Sequence, residues 1–168
     1  TMKALVWYDS FFGNTQQIAE VVAEAIRPYV RVVELQRIQN ASPEDVERAD
    51  ILIVGSPTRG FQPSEDTKTL LRQLPRHALR GMWVAAFDTR IALHTIENGL
   101  FRWIVKTGGY AASTIHKSLL RHDGQAVIAP DGFCVTDKEG PLMEGELQRA
   151  RAWGNTIGQI VGEEMVVV

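Results

Sequence analysis

Little in this sequence points to bond-breaking chemistry by its own side chains. There is one cysteine, Cys134, in 168 residues. That excludes an internal disulfide and fits a reducing compartment, so a cytoplasmic location is expected. A lone cysteine reads as a small buried hydrophobe before it reads as a redox centre. The four histidines, His77, His94, His116 and His122, lack paired ligand spacing, and no metal site is expected. No Ser–His–Asp or Cys–His set has support in the spacing. No apolar run is long enough to span a bilayer, and Lys3 is followed at once by a strand pattern, so neither a membrane segment nor a secretory leader is expected. Neither sign of charge dominates: 18 Lys and Arg face 20 Asp and Glu, a net charge of −2. A nucleic-acid binder would show a basic face, and the acidity is too mild to steer the chain onto basic partners. Two phosphate-binding signatures are missing, Gly-x-x-x-x-Gly-Lys-Ser/Thr and a Gly-x-Gly-x-x-Gly after the first strand. NTPases and dinucleotide enzymes fall in rank accordingly. Repeats, low-complexity tracts and linkers are also missing, and residues 1–168 read as a single domain.

What is present is an ordinary globular balance, 45% apolar and 23% charged, with enough length for a sizeable core. The chain is organised around residues 4–26. Ala4-Leu5-Val6-Trp7-Tyr8 is a short apolar run that stops at Asp9-Ser10-Phe11-Phe12-Gly13-Asn14-Thr15. A helical stripe follows through Ile18, Val21, Val22, Ala25 and Ile26. A strand, a polar turn and a helix in this order aim unpaired N–H groups, the positive end of the helix dipole and the Ser10 and Thr15 hydroxyls at one point. Those groups suit a phosphate, although Ser, Asn, Thr and Gly are also common capping residues.

The pattern then alternates. Val30 to Leu35 predicts a second strand, and Ser42 with Pro43 predicts a short helix start. Ile51-Leu52-Ile53-Val54, apolar at every position, predicts a central parallel strand covered on both faces. It is expected to end in a loop from Gly55 to Ser64, ahead of a helix over Glu65–Gln73 with Leu70, Leu71 and Leu74 inward. Met82 to Phe87 predicts a fourth strand ending in the turn Asp88-Thr89-Arg90. Residues 91–107 have helical spacing in Ile96, Leu100, Phe101, Ile104 and Val105, weakened by Asn98-Gly99, and read as a short helix or a structured lid. Ala111, Ala112, Ile115 and Leu119 form the next stripe, with Gly124 as the expected C-cap. Ala126 to Ala129 predicts a fifth strand, interrupted at Pro130-Asp131-Gly132 and continued by Phe133-Cys134-Val135. The last helix carries Leu147, Ala150, Gly154, Ile157 and Val161 inward, and Glu163 to Val168 reads as a tail whose valines suit an edge strand or a subunit contact. Strands alternating with helices predict an α/β fold with a doubly wound five-stranded parallel sheet and helices on both faces. Ligands on such sheets bind beyond the strand carboxyl ends at the switch point. In the strand order 2-1-3-4-5, the turns after strands one, three and four meet there.

These three turns resemble the loops of the flavodoxin family. Ser10-Phe11-Phe12-Gly13-Asn14-Thr15 resembles its FMN-phosphate loop, Ser/Thr-x-Thr-Gly-x-Thr, with Phe12 in place of a hydroxyl residue. Gly55-Ser56-Pro57-Thr58 resembles the first loop around the flavin ring, and Phe87-Asp88-Thr89-Arg90 the second. Gly132 to Val135, then Gly140-Pro141-Leu142 and Gly145-Glu146, are similar to a bacterial flavodoxin-like pattern ahead of the last helix. The resemblance implies FMN as cofactor. It implies a site of Ser10, Phe11, Phe12, Gly13, Asn14, Thr15, Ser56, Pro57, Thr58, Arg59, Gly60, Phe61, Asp88, Thr89 and Arg90, with no catalytic residue of the protein's own. The family often brackets the ring with a Trp and a Tyr. Neither lies in residues 56–64 or 88–95; Phe61 is a candidate for one face, and Phe101 or Trp103 for the other if they are not core. Arg59 and Arg90 read as cations beside the ring or as solvated loop arginines. Asp88 reads as an acceptor for the ring N3–H or ribityl hydroxyls, or as a cap of its own turn.

Three functions remain open. The first is an FMN-binding electron carrier between partner proteins, a reductase and an acceptor. The second is an FMN-dependent NAD(P)H or quinone reductase acting on a small quinone-like substrate, with residues 91–107 as a substrate wall or a homodimer contact. The third is an interaction module of the same fold that does not bind FMN.

Overall fold

The computed structural model describes residues 2–92 and 110–167. Its sheet contains β1 (Lys3–Tyr8), β2 (Val32–Arg37), β3 (Ile51–Pro57), β4 (Trp83–Ile91), β5 (Gln125–Ala126) and β6 (Asp131–Val135). Every pairing is parallel, in the order β2-β1-β3-β4-β5, with β6 also on β4. The expected 2-1-3-4-5 order is therefore present, and its fifth position is shared. β5 pairs with the first two residues of β4, and β6 pairs with Phe87 to Ile91. The expected break at Pro130 is where one edge strand becomes two.

Helices α1 (Asn14–Ile26) and α4 (Glu146–Val166) cover one face; α2 (Glu65–Gln73) and α3 (Ala111–Arg121) cover the other. The strand residues divide between the faces by their alternation. Ala4, Val6, Ile51, Ile53, Ala85 and Phe87 meet Ile18, Val22, Ala150 and Ile157. Leu5, Trp7, Leu52, Val54, Val84 and Ala86 meet Leu70, Leu71, Ile115 and Leu119. Ile51 to Val54 are fully buried, as a strand covered on both sides requires.

Several boundaries differ from the sequence expectation. β2 begins two residues later than Val30, because a 3-10 turn at Arg27–Tyr29 follows α1 and registry with β1 starts at Val32. The element at Pro43–Arg48 is a 3-10 helix, with the Ser42 N–H donating to the Asp45 carboxylate at 2.8 Å. β3 runs on through Gly55, Ser56 and Pro57, and β4 through Asp88, Thr89 and Arg90; these were expected as turns. Ladder pairing explains both, since Ser56 pairs with Asp88, and β6 supplies β4's other side. The left-handed residue after α3 is Asp123, not Gly124. Gly124 has another reason to lack a side chain: a Cβ there would lie 2.6 Å from Val84. Leu147 is 40% exposed, contrary to expectation, whereas Ala150, Gly154, Ile157 and Val161 are buried with Trp153. α4 continues to Val166 where a tail was expected: no proline follows Val161, Gly162 is carried inside the helix, and Glu163, Glu164 and Met165 favour it. The expectations for residues 93–107, including His94, Phe101 and Trp103, lie outside the described residues. Among the described residues, no helix is long and apolar enough to cross a membrane.

At the centre of one face Phe87, Phe133 and Trp153 pack edge to face, with centroids 5.9–6.2 Å apart. Phe87 also lies against Gly55, where a Cβ would stand 2.0 Å from its ring. This cluster locks β3, β4, β6 and α4 together at the carboxyl end of the sheet. Phe87→Ala should cost about 3–5 kcal/mol of unfolding free energy in urea denaturation; a loss under about 1 kcal/mol would mean that the cluster does not hold this end together.

Candidate functional site

The carboxyl ends of β1, β3 and β4 open into one cleft of about 300 Å³. Ser10, Phe11, Phe12, Asn14 and Thr15 line it from the first loop, Pro57, Thr58, Arg59 and Gly60 from the second, and Thr89 and Arg90 from β4. Four expected residues are not in its lining. Gly13 is the left-handed N-cap of α1, at φ 91°. The Ser56 hydroxyl is turned to the backbone, accepting from the Ser64 N–H and donating to the Pro57 carbonyl, both at 2.9 Å. Asp88 is fully buried behind the wall. Phe61 occupies a left-handed position beside Gly60 in the tight turn where Arg59 and Gln62 exchange backbone hydrogen bonds.

The first loop is held from outside. Arg37 donates to the Ser10 carbonyl, and the Asp9 carboxylate accepts from the Ser10 N–H at 2.8 Å. Ser10 Oγ accepts from the Gly13 N–H at 3.1 Å, and Thr15 Oγ1 shares a 2.8 Å hydrogen bond with Thr89 Oγ1. The N–H groups of Phe12, Asn14, Thr15 and Gln16 have no acceptor among the described residues. They form the open N-terminal turn of a 13-residue helix, where the dipole favours an anion.

The opposite wall is a clamp on Arg90. Asp88 accepts from its Nε at 2.6 Å and its Nη2 at 2.8 Å. The same carboxylate accepts from the Ala112 N–H at 2.8 Å, capping α3. Burial pushes the Asp88 carboxyl up, against the opposing pull of Arg90, the Ala112 N–H and Thr58. It therefore serves the protein's own groups and is not available as the expected acceptor for flavin N3–H or ribityl hydroxyls. The guanidinium lies 3.7 Å from the Tyr110 ring centre, and a Cβ on Gly132 would fall 2.0 Å from its Nε. Arg59 stacks on Phe11 at 4.7 Å.

Sequence reading missed Ile91, Val135 and Lys138 in the lining and Tyr110 behind it. Lys138 had a signal. Gly140-Pro141 marks a turn after β6 at the same sheet end, and this loop docks on α1 through Asn14 Nδ2 to the Glu139 carbonyl at 3.1 Å. Tyr110 had none. Among the described residues the cleft thus gathers three cations, Arg59, Arg90 and Lys138, four hydroxyls and no carboxylate. Among the described residues no histidine or cysteine lines it. Cys134 lies beside Arg90 in the β4–β6 register, and burial pushes its thiol up, away from nucleophilic character. Among the described residues no group of three His, Cys, Asp or Glu is placed to hold a metal ion. The arrangement can bind and orient a planar or sugar-like ligand bearing a phosphate. Its described lining offers no nucleophile or general base.

Removing Arg90's charge by Arg90→Gln leaves a buried carboxylate unpaired and should cost about 3–5 kcal/mol near neutral pH. The folded-state pKa of Asp88 lies above its unfolded value. Its ionisation therefore destabilises the fold as pH rises through the window between the two values. The penalty of Arg90→Gln should shrink in acid, where Asp88 takes up a proton. A penalty independent of pH in urea denaturation would show that Asp88 is not the group left unpaired.

Residues 5–131 match the family model described as Flavodoxin domain. A flavodoxin of Aquifex aeolicus (strain VF5) is 49% identical over 57 residues, 33% of this chain and 31% of that protein; the chain thus spans under a third of that relative's length. The NAD(P)H dehydrogenase (quinone) of Gluconacetobacter diazotrophicus is 25% identical, with 96% of this chain and 98% of that protein covered. Oxidised flavodoxin 1 of Bacillus cereus shares the fold at a TM-score of 0.71 and 16% identity, over 94% of this chain and 97% of that one. With a family model matched over most of its length and the 2-1-3-4-5 parallel sheet in place, the chain belongs to the flavodoxin domain family.

Proposed function

We propose that the chain binds FMN in this cleft and passes electrons between a reductase and an acceptor protein. The carrying observation is the open N-terminal turn of α1, whose N–H groups, without an acceptor among the described residues, stand beside Ser10 and Thr15 in a cleft whose described lining has three cations and no carboxylate. These residues fit a dianionic phosphate ester, with the loop N–H groups and the two hydroxyls as its ligands. The absence of a hydroxyl at Phe12 is no obstacle, because amides rather than side chains supply most of the donors. FMN, when bound, supplies the redox chemistry, and the protein supplies binding, orientation and electrostatics. The wall from Pro57 to Gly60 offers backbone groups, and Phe11 offers an aromatic ring from the first loop. Thr89 and Arg90 offer donors from the other wall. Phe11 (49% exposed), Phe12 (47%) and Ile91 (38%) leave an apolar mouth on the cleft. Such a mouth suits contact with a redox partner.

A second reading, an FMN-dependent NAD(P)H or quinone reductase, is favoured by the similarity to a quinone dehydrogenase over nearly the full length of both chains. It differs in one measurable respect. If the chain is a reductase, NADH or NADPH alone bleaches the bound flavin; if it is a carrier, bleaching needs a partner reductase.

Thr15→Ala removes one hydroxyl from the phosphate end, together with its hydrogen bond to Thr89. It should weaken FMN about tenfold, the worth of a hydrogen bond to a charged group, and leave riboflavin, which has no phosphate, nearly unchanged. Calorimetric titration with both ligands tests this. Equal losses would contradict the phosphate assignment.

A further inference from the structure

Arg90 is held from three sides. Two of its nitrogens are taken by Asp88. One face of the guanidinium is covered by the Tyr110 ring at 3.7 Å, and the missing side chain of Gly132 makes the slot it occupies, since a Cβ there would lie 2.0–2.2 Å from Nε, Cζ and Nη2. Its Nη1 has no partner among the described residues. Arg90 lines the cleft and Asp88 does not; Asp88 is fully buried behind it. The pair is therefore a fixed dipole whose positive end faces the ligand and whose negative end faces the core.

We infer that Arg90 selects the charge state of the bound cofactor, so that the cleft holds reduced, anionic FMN more tightly relative to oxidised FMN than a neutral wall would. The inference rests on the FMN reading of the cleft. Reduction by two electrons with uptake of one proton adds one negative charge to the ring system, and a preorganised cation at the wall stabilises the form that carries it. Asp88 and Gly132 act as positioning residues. Asp88 orients the guanidinium and weakens its field without cancelling it, because the carboxylate lies on the far side. Gly132 keeps the slot empty. The free Nη1 edge is a donor for an oxygen or nitrogen acceptor, so the cation and the hydrogen bond come from the same group.

The test compares wild type with two variants in FMN-loaded protein: Asp88→Asn with Arg90→Gln together, and Gly132→Ala. The double variant removes both charges and so avoids a lone buried carboxylate. Gly132→Ala keeps every charge but places a methyl group where the guanidinium lies. Dithionite titration against a reference dye gives the potential of bound FMN relative to free FMN, which reports the ratio of reduced to oxidised affinity. The ratio should fall about tenfold in the double variant, about 30 mV for a two-electron couple, and move in the same direction in Gly132→Ala. A variant that still binds FMN with the wild-type ratio overturns this inference and leaves the FMN reading intact. A wild-type chain that takes up no FMN overturns both.

Discussion

Asp88 is a carboxylate with no exposure to water, and such a group must be paired. Its partners fix the carboxyl end of the sheet. It holds Arg90 by two hydrogen bonds and caps α3 through the Ala112 N–H. The Thr58 hydroxyl favours its ionised form as well, and the Thr58 N–H donates to the Thr89 carbonyl at 2.9 Å. Through these contacts a single side chain ties the loop after β3 to the last residues of β4 and to the start of the following helix. Moving it would displace one wall of the cleft and leave several buried donors without acceptors.

The rest of the sheet makes that placement possible. Pairing of β4 with β3 on one side and β6 on the other carries it four residues beyond Phe87, which brings Asp88 and Arg90 to the level of the α1 N-terminus. β6 is itself stabilised from α4. Glu146 accepts from the Cys134 N–H at 2.6 Å, and Arg149 pairs with Glu146 and Asp131 while its guanidinium stacks on Phe133 at 4.5 Å. Arg149 holds the Glu146 carboxyl below its ordinary value. The contribution of this pair is thus present above the ordinary glutamate range and fades in acid. Packing on one face and an ionic network at its edge both serve to present Gly132 to Arg90.

Much of this was legible beforehand. Continuous apolar runs such as Ile51 to Val54 announced strands covered on both faces, and the stripe Ile115–Leu119 announced the helix packed on Val84. The three polar turns at alternate strand ends announced one cleft, because the switch point brings them together. The polar residues at strand ends were misread for a physical reason: Asp, Thr and Arg look like turn formers, and only the ladder on both sides makes them strand. Spacing did hold a clue, since Asp88 and Arg90 lie two apart and so share a face of any strand. Leu147 was expected inward and Trp153 was overlooked, because helical spacing alone does not say which edge of a broad stripe meets the sheet. Lys138 reaches the cleft from a loop that only the docking of Asn14 on Glu139 brings close. The grip of Tyr110 on Arg90 depends on tertiary placement that no local pattern encodes.

The cleft is cationic, hydroxyl-lined and open at a helix N-terminus, and its most direct examination is a fluorescence titration of FMN with the wild-type chain. Saturable quenching at one FMN per chain, lost in stepwise fashion when inorganic phosphate competes, is the result expected of a phosphate seated at the α1 turn. FMN fluorescence that stays unquenched at stoichiometric and excess protein would contradict it.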